Sequence, residues 1–259
     1  MNDHQFDEKH SAYIGEKMKK ALLLFGLSLV CCVVIWPMDF SLSTGAGGLL
    51  GGSFTRYESS SSGSNKMTLD SSQFNFGALL FFDATYAELA ATIQRGSGKY
   101  DEVISKSGDF VAGSGDCWET MLGFCLLGKY PFAIMERLKL FPLLGIEYQI
   151  ALSQRRRVDG GVIYDRTNGL QETDKDGKAL DNSAWNSFWI HLGVGTDVDI
   201  LKDFFVRGEI LYGFRLMTSY EKDGLEQAKA LLGDSNPKLS GLTSGPSIRL
   251  CAGYRFWNM

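Results

Sequence analysis

Acidic and basic side chains stand singly between apolar residues in several short segments of the chain. In SIRLCAGYRFW, residues 247–257, Arg249 and Arg255 alternate with an apolar row that includes Ile248 and Leu250. Strict alternation predicts a β-strand with one apolar face. Similar alternation elsewhere completes a set of charges on one kind of face: Glu88, Glu119, Glu147, Arg207, Glu209, Arg215, Arg249 and Arg255. If these residues face one narrow interior, its acids and bases can pair, and buried charges persist only when paired and hydrogen-bonded.

A catalytic interpretation of these residues has little support. His191 is the only histidine beyond His10, and it falls in mid-strand on the charged row. A Ser, His and acid set would need a nucleophile and a group that orients the imidazole. We therefore expect a hydrogen-bonded interior histidine and no enzyme. With one histidine and scattered thiols, a zinc site is equally unsupported.

Two polar segments suggest binding but have simpler explanations. Glu172 to Ser183 resembles the start of a calcium loop, yet Ser183 stands where the bidentate Glu should be. A solvated acidic loop that turns at Asp176-Gly177 is the alternative. Arg155, Arg156 and Arg157 could contact phosphates of a surface lipid, a host polymer or another partner, or form a solvated charge run.

No cofactor is expected. The glycine-rich segment GAGGLLGG, residues 45–52, lacks the third glycine of the dinucleotide-binding spacing and is not followed by a predicted helix. A formal net charge of -4 and a pI near 5.5 argue against a nucleic-acid partner. Three cysteines follow the N-terminal region, Cys117, Cys125 and Cys251. Their odd number excludes a complete intrachain disulfide framework, so we expect free thiols that fill space.

The N-terminal region is typical of an export signal. Met18-Lys19-Lys20 precedes an apolar run from Ala21 to Trp36, and small residues follow Pro37. We interpret residues 1–17 as a non-native extension, 18–43 as a cleaved signal peptide and 44–259 as the folded domain, with cleavage between about Ser41 and Gly48. An inner-membrane anchor and lipidation at Cys31 or Cys32 are the alternatives.

Eight segments with period-two apolar rows predict an all-β fold: an eight-stranded antiparallel transmembrane β-barrel. Long and short connections alternate between the segments. The predicted long loops include Ser59–Ser71, Arg95–Asp116, Ser153–Ala184 and Thr218–Gly241; the short turns lie near Asp83 and at Asp199–Lys202. A barrel in an outer membrane has this asymmetry, because its two ends face different compartments. The apolar rows would then contact lipid and the charges would line the lumen. An exported soluble barrel with an apolar interior is the alternative.

The segments AGYRFW and KYPFAIMERLKLFPLLGIEY carry a resemblance to a known family. Together with the signal and the loop pattern they resemble the small eight-stranded outer-membrane proteins of the OmpW and OmpX type, and most closely the OmpW-like barrels of spirochaetes (treponemes). The resemblance implies that Tyr254 and Phe256 form the outer-membrane insertion signal read by the barrel-assembly machinery. The chain continues past Phe256 to Met259, a departure from the usual terminal aromatic residue.

Two functions follow as expectations. The resemblance implies a passive route for small apolar molecules through an outer-membrane barrel whose long loops are extracellular. The alternative is a surface-display or adhesin scaffold with a plugged lumen, whose outer loops bind host or matrix ligands. In both cases the expected partners include outer-membrane lipid and the assembly machinery.

Overall fold

Ten antiparallel strands dominate the computed structural model of the chain, which describes residues 40–60, 66–106, 109–158, 161–165, 182–216, 218 and 238–258. The strands are β1 Ser41–Ser60, β2 Lys66–Ala84, β3 Ala87–Lys106, β4 Asp109–Lys129, β5 Phe132–Met135, β6 Leu138–Val158, β7 Gly161–Asp165, β8 Ser187–Asp199, β9 Phe204–Arg215 and β10 Lys238–Asn258. One turn of 3-10 helix, Asn182–Trp185, precedes β8.

Eight of these strands close a ring. Each pairs with its neighbour in the order β4, β3, β2, β1, β10, β9, β8, β6, and the pairing of β4 with β6 closes the circle. The first and last strands meet in a long ladder in which Ser41 lies opposite Asn258. The short strands β5 and β7 pair only with β6, near its two ends. The predicted eight-stranded antiparallel barrel is therefore confirmed, and it leaves no open edge around the ring.

The two ends of the barrel differ. At the short-turn end lie Ser41, Asn258 and the turns at 85–86, 136–137 and 200–203. At the other end, which we call the loop end, β1, β3, β6 and β9 end and β2, β4, β8 and β10 begin. Part of what we expected to be loop is strand, since β3 runs to Lys106 and β4 starts at Asp109. Likewise β2 begins at Lys66. Polar side chains do not interrupt a backbone ladder, so pairing continues beyond the apolar segments that the sequence reveals.

The predicted N-terminal processing lies mostly outside the described residues. The barrel ladder begins at Ser41, three residues before the boundary that we expected at residue 44. Among the residues described, no helix is long and apolar enough to cross a membrane.

The apolar rows face outward and the mixed rows face inward, as the alternation predicted. In the last strand Leu250 and Tyr254 are exposed, whereas Arg249 and Arg255 are buried. The interior of the barrel is filled by side chains. Its apolar part is a cluster made of Leu49, Leu79, Phe81, Ala90, Cys125, Leu127, Phe141, Leu143, Phe205, Leu211 and Cys251. The three cysteines outside the N-terminal region are buried and are not joined by disulfides.

Candidate functional site: a charged lumen

Arg207 crosses the lumen near the short-turn end. From β9 its guanidinium reaches the opposite wall, where it donates to Asp83 on β2 and to Glu88 on β3. It also binds the neighbouring Asp197 on β8 in a bidentate manner, with Nε–Oδ1 and Nη2–Oδ2 distances of 2.7 and 2.8 Å. Arg207 is 1% exposed. Bidentate, charge-assisted bonds of this kind are among the strongest in proteins, so the layer joins four strands firmly.

Aromatic rings enclose the same guanidinium. Its central carbon lies 4.8 Å from the ring centroid of Phe81, 5.2 Å from Phe205 and 5.3 Å from Phe141. A cation over desolvated rings is attracted to their π faces. The rings also fill the cross-section around the charged group, so Arg207 and its three phenylalanines form a packed layer rather than a charged gap.

One further cation, Lys129, completes this layer, which we call the lower plug: Asp83, Glu88, Lys129, Asp197, Arg207, Phe81, Phe141 and Phe205. Lys129 on β4 donates to Asp83 and lies 4.6 Å from the centroid of Phe141. Arg255 lies just beyond the plug toward the short-turn end. It stacks 5.1 Å from Phe205 and donates to Asp199 at 3.1 Å. The lower plug therefore brings three carboxylates and two cations together across the barrel, and one of the carboxylates, Glu88, also faces Arg249.

Arg249 forms a second crossing at mid-height. From β10 its guanidinium lies 3.6 Å from Glu147 on β6, 3.7 Å from Glu209 on β9 and 3.9 Å from Glu88 on β3. These distances are longer than those around Arg207, and neither carboxylate oxygen of Glu209 has a hydrogen-bond partner among the described residues. The second crossing is therefore looser than the first, although Glu88 links the two.

His191 lies beside this second crossing. Its Nε2 is 3.0 Å from Oε2 of Glu147, and its ring stacks on Trp189 with centroids 6.0 Å apart. The imidazole also lies against Gly213, where a Cβ would come within 2.8 Å of it. The backbone of β9 therefore needs a glycine for the histidine to fit. His191 is thus a buried interior histidine, as expected, but among the described residues neither of its ring nitrogens has a hydrogen-bond partner, and its contact with Glu147 is one of proximity.

The loop half of the lumen is polar but loosely filled. Gln149 accepts from Trp189 at 3.0 Å and from Ser187 at 3.2 Å. Gln154 donates to Glu119 at 3.1 Å, and Arg215 donates to the hydroxyl of Thr243 at 3.2 Å. Two cavities of about 40 and 50 Å³ lie here, and Glu119, Met121 and Arg215 border both. Each has room for a few water molecules.

All eight charges expected in the lumen lie on the inner face. They do not form one network: Glu88, Glu147, Arg207, Glu209 and Arg249 are linked, whereas Glu119, Arg215 and Arg255 have other partners. The sequence did not identify Asp83, Lys129 and Asp197 as members of the site. Asp197 lies on the same alternating row as His191, so the sequence pattern already indicated that its side chain faces the lumen. Asp83 and Lys129 lie at strand ends, where alternation gives no direction.

The other predicted positions lie on the outside. Tyr254 and Phe256 are exposed on the last strand, where Tyr254 packs on Phe204 at 4.9 Å and Phe256 on Phe82 at 6.3 Å between ring centroids. Arg155 is exposed, with its guanidinium 5.7 Å from the ring of Trp118. The side chains of Arg156 and Arg157, and residues 172–181 of the calcium alternative, lie outside the described part of the structure.

The exterior is a continuous apolar surface. Every strand of the ring carries large, exposed apolar side chains on its outward face, for example Phe76, Ile93, Leu144, Val194 and Ile248. A soluble protein rarely exposes apolar patches beyond a few hundred Å². A barrel in hydrocarbon has apolar residues outside and polar residues inside, and its closure satisfies every backbone group. The barrel therefore has the surface of a membrane-spanning protein.

Comparison with known proteins gives similarities of fold. No protein-family model matches the sequence, and no curated protein matches it. Among solved structures, the outer membrane protein OprG from Pseudomonas aeruginosa aligns with 84% of this chain and 95% of its own, at 14% identity and a TM-score of 0.42. The outer membrane protease OmpT from Escherichia coli aligns with 85% of this chain and 97% of its own, at 12% identity and a TM-score of 0.41.

A third solved structure is Ail, the attachment invasion locus protein of Yersinia pestis, in complex with the heparin analogue sucrose octasulfate. It aligns with 82% of this chain and 99% of its own, at 13% identity and a TM-score of 0.25. Similarities at this level support no assignment of function to this chain.

Proposed function

We propose that the chain is a non-enzymatic outer-membrane barrel with a closed lumen, which presents its loop end outside the cell as a binding scaffold. The observation that carries this proposal is the crossing of the lumen by Arg207. Its guanidinium bonds to the opposite wall and is surrounded by three phenylalanine rings. An eight-stranded barrel is only just wide enough for side chains to fill, so one such layer closes it.

The lower plug also opposes passage of small apolar molecules through the lumen. Such a molecule would have to separate Arg207 from Asp83, Glu88 and Asp197. Breaking one partner from a buried ion pair typically costs about 3–5 kcal/mol, and an apolar solute offers no replacement hydrogen bonds. The passive route that the family resemblance implied thus has a barrier in this barrel.

The loop end supplies the surface for binding. Strands β1 to β4 contain 19 to 21 residues each, whereas a tilted transmembrane strand needs about 9–11. The hairpins β1–β2 and β3–β4 therefore extend past the membrane as paired strands. We propose host or matrix ligands as the partners bound at this end, with the loop connections at 159–186 and 216–237 as part of the binding surface. The resemblance to spirochaete barrels is part of the same proposal.

Solute entry into proteoliposomes tests the closed lumen. Wild-type protein should admit neither arabinose nor indole, used as polar and apolar probes, faster than protein-free vesicles. The matched variant replaces Arg207, Phe81, Phe205 and Arg249 by Ala, which removes both arginine crossings and two of the three rings while leaving the outer wall unchanged, and it should admit arabinose. Entry of indole alone into wild-type vesicles would favour the passive route, and rapid entry of arabinose would contradict a closed lumen.

Epitope tags test which end is outside. A tag between Val158 and Gly161, at the loop end, should bind antibody on intact cells. A tag at Lys202, in the β8–β9 turn, should bind only after the outer membrane is opened. Equal labelling of both tags on intact cells would exclude the proposed orientation.

A further inference from the structure

A basic patch lies on the outer wall where the apolar belt ends toward the loop end. On β3 the outward row runs from Ile93, which is 51% exposed, to Arg95 and Lys99, both exposed. On β6 the outward row passes Leu152 and reaches Arg155. Because β4 lies between these two strands, the three cations occupy one area of the wall.

The strand register brings these cations together. Arg95 lies opposite Thr120 of β4, Ser97 opposite Trp118 and Lys99 opposite Asp116. On the other side of β4, Trp118 lies opposite Arg155, and the Arg155 guanidinium is 5.7 Å from its ring. We call the group Arg95, Lys99, Trp118 and Arg155 the outer patch. Among the residues whose side chains are described, its three cations have two acidic neighbours: Asp116, opposite Lys99, and Asp101, two residues beyond Lys99 on the outward row of β3.

Two cations of the outer patch, Arg95 and Lys99, differ from Arg155, which contacts Trp118. Within the described part of the chain, neither Arg95 nor Lys99 forms an ion pair. A nearby contrast is Arg56 on β1, which lies 3.7 Å from Asp70 and is thereby compensated. The opposite wall differs as well, since the outward residues of β9 and β10 near the loop end are uncharged: Tyr212, Leu242, Ser244 and Pro246.

We propose that the outer patch binds the phosphate headgroup of an anionic lipid in the leaflet at the loop end. The inference rests on the proposed membrane location. Two features select this occupant: the patch continues the lipid-facing row of β3 two residues after Ile93, and it combines cations with a tryptophan. Tryptophan is enriched at the level of the headgroups, and long basic side chains lay their stems on apolar surface while their charges reach phosphate.

Quenching of Trp118 by brominated lipids tests this site. The chain has five tryptophans; Trp185 and Trp189 are buried inside the barrel, and Trp36 and Trp257 are replaced by Phe. The remaining lipid-facing tryptophan then reports its neighbours in vesicles. Brominated phosphatidylglycerol, at a low fraction in phosphatidylcholine, should quench Trp118 as though enriched about fivefold over brominated phosphatidylcholine at the same fraction. Added salt should reduce this excess quenching by phosphatidylglycerol, because exposed charges are screened.

Two sets of variants make the test specific. Replacing Arg95, Lys99 and Arg155 by Gln should abolish the excess, since these side chains are exposed and their removal leaves the ladder intact. The matched control replaces Arg137 and Lys202 by Gln; these are exposed cations at the short-turn end. This variant should keep the excess quenching by brominated phosphatidylglycerol.

Equal quenching by both lipids, or an excess that survives in the patch variant, would overturn the proposal. Loss of the excess on adding millimolar inorganic phosphate would show that free phosphate, not lipid, is the ligand. Absence of quenching by either lipid would instead reject the membrane location, and with it the proposed function.

Discussion

The two halves of the lumen differ in how they accommodate polar side chains inside the barrel. Near the short-turn end, Arg207 has three acidic partners and three aromatic neighbours. In the loop half, Glu119 bonds to an amide and Arg215 to a hydroxyl, and cavities of about 40 and 50 Å³ remain. Burial with ion-pair and aromatic partners therefore stabilises the first half, whereas room for water makes the second half tolerant of substitution.

The largest effect should come from Arg207→Ala. The change leaves Asp197 without an ion-pair partner among the described residues and removes one of the two cations that face Asp83 and Glu88, so the free energy of unfolding should fall by about 3–5 kcal/mol. Urea unfolding of the barrel in lipid vesicles, followed by tryptophan fluorescence, measures this loss. A variant that combines Arg207→Met with Glu88→Gln and Asp197→Asn should recover part of it, because fewer charges are left unpaired. A loss below about 1 kcal/mol would remove the distinction between the two halves.

An intermediate effect should come from Gly195→Ala on the inner face of β8. A Cβ there would come within 2.7 Å of Cζ of Phe141, the ring that covers Arg207 and Lys129. Overpacking of this kind typically costs about 1–3 kcal/mol.

The control for this change is Gly208→Ala on the neighbouring strand. Gly208 lies opposite Thr196, and the nearest atom to its Cβ would be Thr196 Cγ2 at 3.8 Å. This variant should unfold within about 0.5 kcal/mol of wild type in the same assay. Similar losses for both glycines would mean that the lower plug is not tightly packed.

The smallest effect should come from Glu119→Gln in the loop half. Glu119 accepts one hydrogen bond from Gln154 and borders both cavities, where water can replace a lost contact. We expect a change of at most about 1 kcal/mol in the free energy of unfolding. The loss in free energy of unfolding is compared with that of Arg207→Ala. Comparable losses would show that the loop half is as tightly coupled as the lower plug.

The sequence predicted the ring because alternation is a local property. Arg249 and Arg255 were placed inside by the apolar residues on either side of them, and the structure shows the same orientation. The partners of these residues could not be predicted, because a contact across the lumen depends on how the ring closes and how far its strands are staggered. The extension of β3 to Lys106 was missed for another reason: its outer part is polar and carries no apolar row.

The distribution of the inward charges along the chain has a consequence for assembly. The four inward-facing arginines described, Arg207, Arg215, Arg249 and Arg255, all lie on the last two strands, whereas Asp83, Glu88, Glu119 and Glu147 lie on strands that emerge earlier. Arg207 is separated from Asp83 by 124 positions. A partly inserted sheet therefore holds Glu88 and Glu147 without their arginine partners, although Asp83 already has Lys129, and the arrival of the final hairpin supplies those arginines as it closes the ring. Closure of the ring should consequently be all-or-none, and the ion pairs formed by the last hairpin should make insertion difficult to reverse.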